Sequence, residues 1–258
     1  MSIAPSVARS YLVRNLDQHL ALLGMLDYEA VQAIYGIEHR DILTGIAIVS
    51  NPLAMLTDNP PTIAFSIAEE HALPELLQQR DWPKPSIWST HQPHILAQLE
   101  TWLESRHDPA RGALYYIAPT LQPSQAHPLV RRLTWEDADQ LDLSRCSLKA
   151  TTLRHWMRRG WRIFGAVDGS TLLSYAMAAY PIGDTEEVAS VFTAPHVRGH
   201  GLARAVVTAT VSDIQSRGMR AIYATKKTNL ASQGVAMGLG MRLRLETWEI
   251  LATMPNTL

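Results

Sequence analysis

The chain has 258 residues, a formal net charge of −1 and 47% hydrophobic residues. That balance points away from nucleic acid or an anionic membrane as the main partner, and no apolar run reaches bilayer-spanning length. The single cysteine, Cys146, excludes an intramolecular disulfide and fits a reducing cytoplasm; a start without a basic stretch and apolar core predicts no signal peptide.

In chain order, Ser6 to Ile34 reads as helical, with Leu12, Leu16, Leu20 and Leu23 on one face. Strands are expected at Gly45–Val49, Thr62–Ile67, Ile87–Thr90 and Leu114–Ala118. Helices are expected at Leu73–Gln79 and His94–Ser105. The stretch Ala118–Pro128, with three prolines and few large apolar residues, reads as a linker. It divides the chain into a lobe of residues 1–126 and a domain of residues 127–258.

After the linker, Val130–Leu133 reads as a strand, and Thr134 to Asp137 as a capped helix start. Thr151–Arg159 looks helical. Arg162–Val167 and Thr171–Tyr180 form a hairpin across Asp168-Gly169. Val188–Thr193 is the next strand. Leu202–Arg217 is a helix with Leu202, Val206, Ala209 and Ile214 along an apolar stripe, stopped by Gly218. Ala221–Thr225 is a strand. Asn229 can cap a helix ending near Gly238, and Leu243–Ala252 is a final extended run. The fold class is α/β, of the mixed α+β kind.

The chemistry concentrates between Val188 and Ala205 (VASVFTAPHVRGHGLARA), which reads as strand, sharp turn and helix. Helix-initial N–H groups lack intrahelical partners and carry the positive end of the helix dipole, so they suit a diphosphate. Gly199 and Gly201 permit close approach of backbone to ligand, and Arg198 adds a fixed cation. The turn lacks the Gly-Lys-Ser/Thr of a triphosphate loop and the spacing of the dinucleotide fingerprint. It fits R-x-x-G-x-A, with Arg198, Gly201 and Ala203 in register.

This motif and the order of elements over residues 128–258 resemble the GNAT superfamily of acyl-CoA-dependent N-acyltransferases. Asn229 with Gly240-Met241 resembles that family's second landmark. Val191-Phe192-Thr193-Ala194-Pro195 is similar to the Val-Tyr-Thr-x-Pro of the glycine-N-acyltransferase-like branch, in which a degenerate GNAT-like half precedes the catalytic domain. The resemblance implies a C-terminal GNAT fold with a central mixed sheet and splayed strands, preceded by a smaller α/β lobe that shapes the acceptor site.

It further implies that acetyl-CoA is the co-substrate. Arg198, Gly199, His200, Gly201, Leu202 and Ala203 would hold its diphosphate. Val191, Phe192 and Thr193 would pair with the pantetheine arm, and Asn229 and Ser232 would meet the arm or thiol. An amide near Val191 or Phe192 would stabilise the oxyanion. The implied reaction is acetyl transfer to a primary amine of a small molecule by direct attack in a ternary complex. Glu186 and Glu187 are the candidates for general base. Many family members protonate the leaving thiolate from a tyrosine seven residues after the Asn; here that position is Ala236, which leaves Ser232 or Tyr223 as donor. The alternatives are a non-catalytic acyl-CoA sensor and an acetyltransferase acting on a protein amine. The oligomeric state is left open.

Other residues invite weaker readings. Lys226 and Lys227 could meet the 3′-phosphate of CoA, or simply be solvated. His155-Trp156 could contact the acceptor, although packing explains Trp156 equally well. His196 and His200 straddle a Pro- and Gly-bearing turn, and His91-Gln92-Pro93-His94 has poor spacing, so no metal site is expected. Cys146, between Leu143 and Leu148, reads as a small buried hydrophobe.

Overall fold

The computed structural model describes residues 1–51, 60–78, 82–121 and 126–252. The chain divides into two units. One comprises Met1–Leu114, Lys226–Thr228 and the chain from Arg244 onward; the other comprises Tyr115–Thr225 and Asn229–Leu243. The division at Leu114/Tyr115 falls before the Pro-rich stretch expected to form the boundary, and residues 122–125 of that stretch lie outside the described residues.

The first unit begins with α1 (Pro5–Leu12), a short 3-10 turn and α2 (Leu16–Tyr28). The helix expected to run to Ile34 ends at Tyr28, because residues from Ala30 onward form β1 (Ala30–His39). That strand folds back on β2 (Ile42–Asn51) through Arg40 and Asp41, both at positive φ, with His39 opposite Ile42. Such a two-residue turn matches the natural twist of an antiparallel pair. The pairing partner, invisible to local periodicity, decided strand over helix here.

Next come β3 (Thr62–Ile67), α3 (Ala72–Gln78), β4 (Ser86–Thr90) and α4 (Pro93–Trp102). Gln79, expected at the end of α3, lies outside the described residues. The sheet order is β1-β2-β3-β4-β12, where β12 is Trp248–Ala252. The final extended run is therefore broken at Thr247, and its second part belongs to the first unit's sheet. Strands β3 and β4 are parallel, pairing Thr62–Phe65 with Ile87–Thr90. Beyond the last pair, the Gln92 side chain takes over: its Oε1 accepts from the Ile67 N–H at 2.7 Å and its Nε2 donates to the Ile67 carbonyl at 2.6 Å. The core holds Phe65, Leu73, Leu76, Trp82, Trp88, Ile95 and Leu99, with Phe65 and Trp88 stacked at 5.7 Å. Burying each such side chain contributes about 1.5–3 kcal/mol.

The other sheet has the order β11-β5-β10-β9-β8-β7-β6. Its strands are β5 (Ala113–Ile117), β6 (Val130–Arg132), β7 (Arg162–Asp168), β8 (Thr171–Ile182), β9 (Thr185–Thr193), β10 (Arg220–Lys226) and β11 (Arg242–Glu246). Its helices are α5 (Asp137–Gln140), α6 (Ala150–Arg158), α7 (Leu202–Ser216) and α8 (Leu230–Gly238). The helix start expected at Thr134 is fixed by Asp137, whose carboxylate accepts from the Thr134 N–H and pairs with Arg131, both at 2.6 Å. Helix α7 buries Leu202, Val206, Val207, Thr210, Val211 and Ile214, a stripe at 3–4-residue spacing. The opposite core cluster contains Leu153, Trp156, Trp161, Tyr175, Met177, Ala179 and Ala189. Among the described residues, no helix is long and apolar enough to cross a membrane.

Candidate active site

The site is built where β9 leaves its neighbours. Parallel pairing with β10 covers only Thr185–Val188 against Arg220–Tyr223. Beyond Val188 the two strands part, although β9 continues to Thr193 and β10 to Lys226. The main chain of Ala189–Thr193 thereby has no strand partner on its β10 side, as an added extended ligand would require. On its other side β9 bulges against β8. Phe192 faces Tyr175 and Ala189 faces Met177, so Ser190 and Val191 together oppose Ala176. Ser190 takes up the irregularity at φ 49°. A bulge of this kind re-aims local N–H groups out of the ladder.

The far end of β9 is anchored by polar contacts. The buried Ser174 hydroxyl donates to the Phe192 carbonyl at 2.9 Å and lies 2.8 Å from the Thr193 hydroxyl. Phe192 stacks on Tyr175 at 6.1 Å. A 3-10 turn over Pro195–Val197 then leads into the glycine turn. Gly199 and Gly201 have φ of 82° and 79°, values that side-chain-bearing residues rarely adopt. Gly201 is the residue before α7, and the first main-chain bond of that helix runs from the Ala205 N–H to the Gly201 carbonyl. Among the described residues, the main-chain N–H groups of Gly199 to Arg204 therefore have no hydrogen-bond partner, and those of Leu202 to Arg204 open the helix. The Arg198 side chain turns back to the strand end: its Nε donates to the Thr193 carbonyl at 3.2 Å, and its guanidinium lies 5.9 Å from the Phe192 ring. His200 is exposed, with Nδ1 3.0 Å from the Arg198 carbonyl.

The two glutamates of β9, adjacent in sequence, point to opposite faces. Glu186 is buried against Arg162, which reaches its two carboxylate oxygens at 2.8 and 2.7 Å, and against Arg217. Arg162 also binds Asp213 at 2.7 Å. Glu186 is thus a member of a charge cluster on the α7 side. Glu187, opposite Ala179 on β8, faces the other core and has no ion-pair partner among the described residues. Burial pushes its carboxyl up from 4.5 to about 7. Tyr180 and Tyr223 are both raised, first by burial and then by the Glu187 charge.

Tyr223 is buried on β10, and its hydroxyl lies 2.6 Å from the Ser232 hydroxyl. Asn229 caps α8 by accepting from the Ser232 N–H at 3.1 Å. Tyr223 and Ser232, alternatives as proton donors in the sequence, form one hydrogen-bonded pair in the fold. Ala236 is fully buried.

The remaining candidates fall elsewhere. Trp156 is buried, 5.9 Å from Tyr175, while His155 is exposed. The Cys146 thiol donates to the Leu172 carbonyl at 3.3 Å, and burial raises it to about 11, so it is not a nucleophile at neutral pH. In the first unit Lys227 is not simply solvated: it pairs with Glu246 at 2.7 Å and lies 5.0 Å from the Trp248 ring. Three residues that sequence reading passed over, His39, Glu69 and His71, bring one ligand atom each to within 4.8 Å of one another. Their separation along the chain hides them from any spacing motif.

Residues 129–241 match the model of the "Acetyltransferase (GNAT) family". Solved structures with the same fold cover the whole chain at low identity. A GNAT-family acetyltransferase from Colwellia psychrerythraea gives a TM-score of 0.65 at 15% identity, covering 98% of this chain and 99% of its own. A GCN5-related N-acetyltransferase from Sphaerobacter thermophilus gives 0.65 at 12%, covering 99% and 96%. A tandem GNAT protein from the clavulanic acid biosynthesis pathway gives 0.60 at 12%, covering 99% of each. No curated protein matches the chain in sequence. The second unit thus matches the GNAT acetyltransferase family in sequence, over residues 129–241, and in fold.

Proposed function

We propose that the chain is an N-acetyltransferase that moves an acetyl group from acetyl-CoA to a primary amine of a small molecule. The observation that carries this reading is the opening between β9 and β10 beside the unpartnered N–H groups of Gly199–Arg204. The diphosphate binds those N–H groups, with Arg198, Leu202 and Ala203 at the rim of the cradle. The pantetheine amides pair with Val191–Thr193. Asn229 already spends its side-chain oxygen on the α8 cap, so it shapes the thiol end of the slot through that cap.

In the reaction, the amine nitrogen attacks the thioester carbonyl carbon. The C–N bond forms, the C–S bond breaks, and the sulfur leaves with the electron pair. An N–H freed at the Ser190–Val191 bulge meets the developing oxyanion. Glu187 takes the amine proton, directly or through water. A carboxyl held near 7 is half ionised at neutral pH, which suits a base that must later release its proton. Glu186, committed to Arg162 and Arg217, holds β9 against α7 instead. The thiolate takes a proton from the Ser232–Tyr223 pair. We assign the first unit to a degenerate GNAT-like half, with the glycine-N-acyltransferase-like branch as nearest type, and place the chain in the cytoplasm.

A second reading, an acyl-CoA sensor without turnover, is favoured by one feature: the position of the usual tyrosine is a buried alanine, Ala236. One experiment separates the two. Purified protein is mixed with acetyl-CoA and a metabolite extract and analysed by mass spectrometry. A small amine gaining an acetyl group with the native chain, and not with Glu187→Gln, supports the enzyme. Acetyl-CoA binding with no acetylated small molecule contradicts it.

A further inference from the structure

The first unit has its own parallel β–α–β crossover, β3-α3-β4, and the chemistry at its turn is the reverse of an anion cradle. Where β9 runs into Arg198-Gly199-His200-Gly201, β3 runs into Ala68-Glu69-Glu70-His71. Two carboxylates before α3 would repel a diphosphate. We propose that His39, Glu69 and His71 form a binding site for one divalent transition-metal ion of borderline softness, with zinc as its type.

The ligand set is two imidazoles and a carboxylate, the combination that borderline ions accept and that calcium or magnesium do not favour. The spacing fits. Tetrahedral zinc with ligand bonds near 2.0–2.1 Å sets neighbouring ligand atoms about 3.3 Å apart. Here His71 Nδ1 and Glu69 Oε2 are 3.4 Å apart, and all three ligand atoms lie within 4.8 Å of one another. The His39 and His71 rings lie edge-on, 5.5 Å apart at 67°. A fourth position stays open to water.

The scaffold holds this arrangement without the ion. His39 ends β1 beside the tight Arg40-Asp41 turn, opposite Ile42. The Ala68 and Glu69 N–H groups both donate to the Thr44 carbonyl of β2, at 2.7 and 3.2 Å. The Ala72 N–H donates to the Glu69 carbonyl at 2.9 Å and sets the turn that presents His71. Glu69 and His71 are thus tied to β2, which is paired along its length with the strand bearing His39. All three side chains are exposed, so the site is open to solution and its variants carry little folding risk.

The test is zinc binding by the full chain, free of any affinity tag, measured by calorimetry and by metal content after dialysis. The expected result is one equivalent of zinc, with affinity reduced at least about tenfold in each of His39→Ala, Glu69→Gln and His71→Ala. His94→Ala, an exposed histidine outside the group, should retain it. Zinc should also raise the Tm of the native chain and not that of His71→Ala. Absence of a one-equivalent site, or unchanged affinity in any of the three variants, overturns the proposal.

Discussion

In the second unit, β9 and β10 pair over four residues and then part, leaving the Ala189–Thr193 main chain with an open side. In the first unit, β3 and β4 also pair over four residues, but the main chain just beyond is closed by Gln92, whose amide satisfies both the N–H and the carbonyl of Ile67. One side-chain amide there does what the amides of an extended ligand would do in the other crossover. The turns differ in the same sense. One offers unpartnered N–H groups, two glycines at positive φ and an arginine; the other offers two glutamates and a histidine. Two crossovers of one geometry therefore offer different surfaces: one strand edge is left without a strand partner beside main-chain N–H groups, and the other is closed and followed by carboxylates.

The comparison can be broken at Glu187, where the largest catalytic effect is expected. Glu187→Gln should lower kcat about 100-fold or more, with acetyl-CoA affinity retained. On the proposed mechanism, in which the ionised carboxylate is the base, kcat of the native protein should rise with pH through about 7. Stability should move the other way. The folded carboxyl keeps its proton up to about 7, whereas an ordinary glutamate releases it near 4.5, so the folded chain binds more protons between the two. Stability contributed by this group falls as pH rises through that window. Glu187→Gln should accordingly gain stability relative to the native chain between pH 5 and pH 8, by about 3 kcal/mol at most. Denaturant titrations at the two pH values check this.

Its neighbour should behave oppositely. Glu186→Gln leaves Arg162 and Arg217 partly uncompensated in a buried setting and should cost about 3 kcal/mol of stability. The pH dependence of kcat should be preserved in the surviving folded fraction. Gln92→Ala should cost about 1–3 kcal/mol by stranding the Ile67 main-chain groups, and it should create no second acetyl-CoA site, because the turn before α3 still carries Glu69 and Glu70. The smallest effect is expected for Ser232→Ala, about tenfold in kcat, since a CoA thiolate leaves tolerably without an acid.

The strand, glycine turn and helix of residues 185–216 are legible in the sequence because their signals are local. Gly199 and Gly201 announce the turn, Pro195 closes the strand, and the 202–214 apolar spacing announces α7. The same holds for the Asp168-Gly169 hairpin. Features created by pairing were hidden. The first five residues of β1, Ala30–Ile34, fit the end of a helix as well as the start of a strand, and only the pairing with β2 decides between the two. Leu243–Ala252 reads as one extended run, yet it serves two sheets on either side of Thr247. Glu186 and Glu187 are equivalent as neighbours in sequence; the pleat alone turns one towards two arginines and the other to the opposite face, where no described residue forms an ion pair with it. The Tyr223–Ser232 bond and the His39–Glu69–His71 group likewise needed three dimensions.

On the proposed function, one of the two crossovers takes the acyl-CoA, through the Gly201 turn. Calorimetric titration of the full chain with acetyl-CoA, alongside Gly201→Glu, decides this. That substitution puts a carboxylate into the proposed diphosphate position and a side chain at φ 79°, for a folding cost of about 1–2 kcal/mol. The account predicts one acetyl-CoA per chain, with binding abolished in Gly201→Glu while circular dichroism stays native. Two equivalents per chain, or undiminished binding by a folded Gly201→Glu variant, would contradict it.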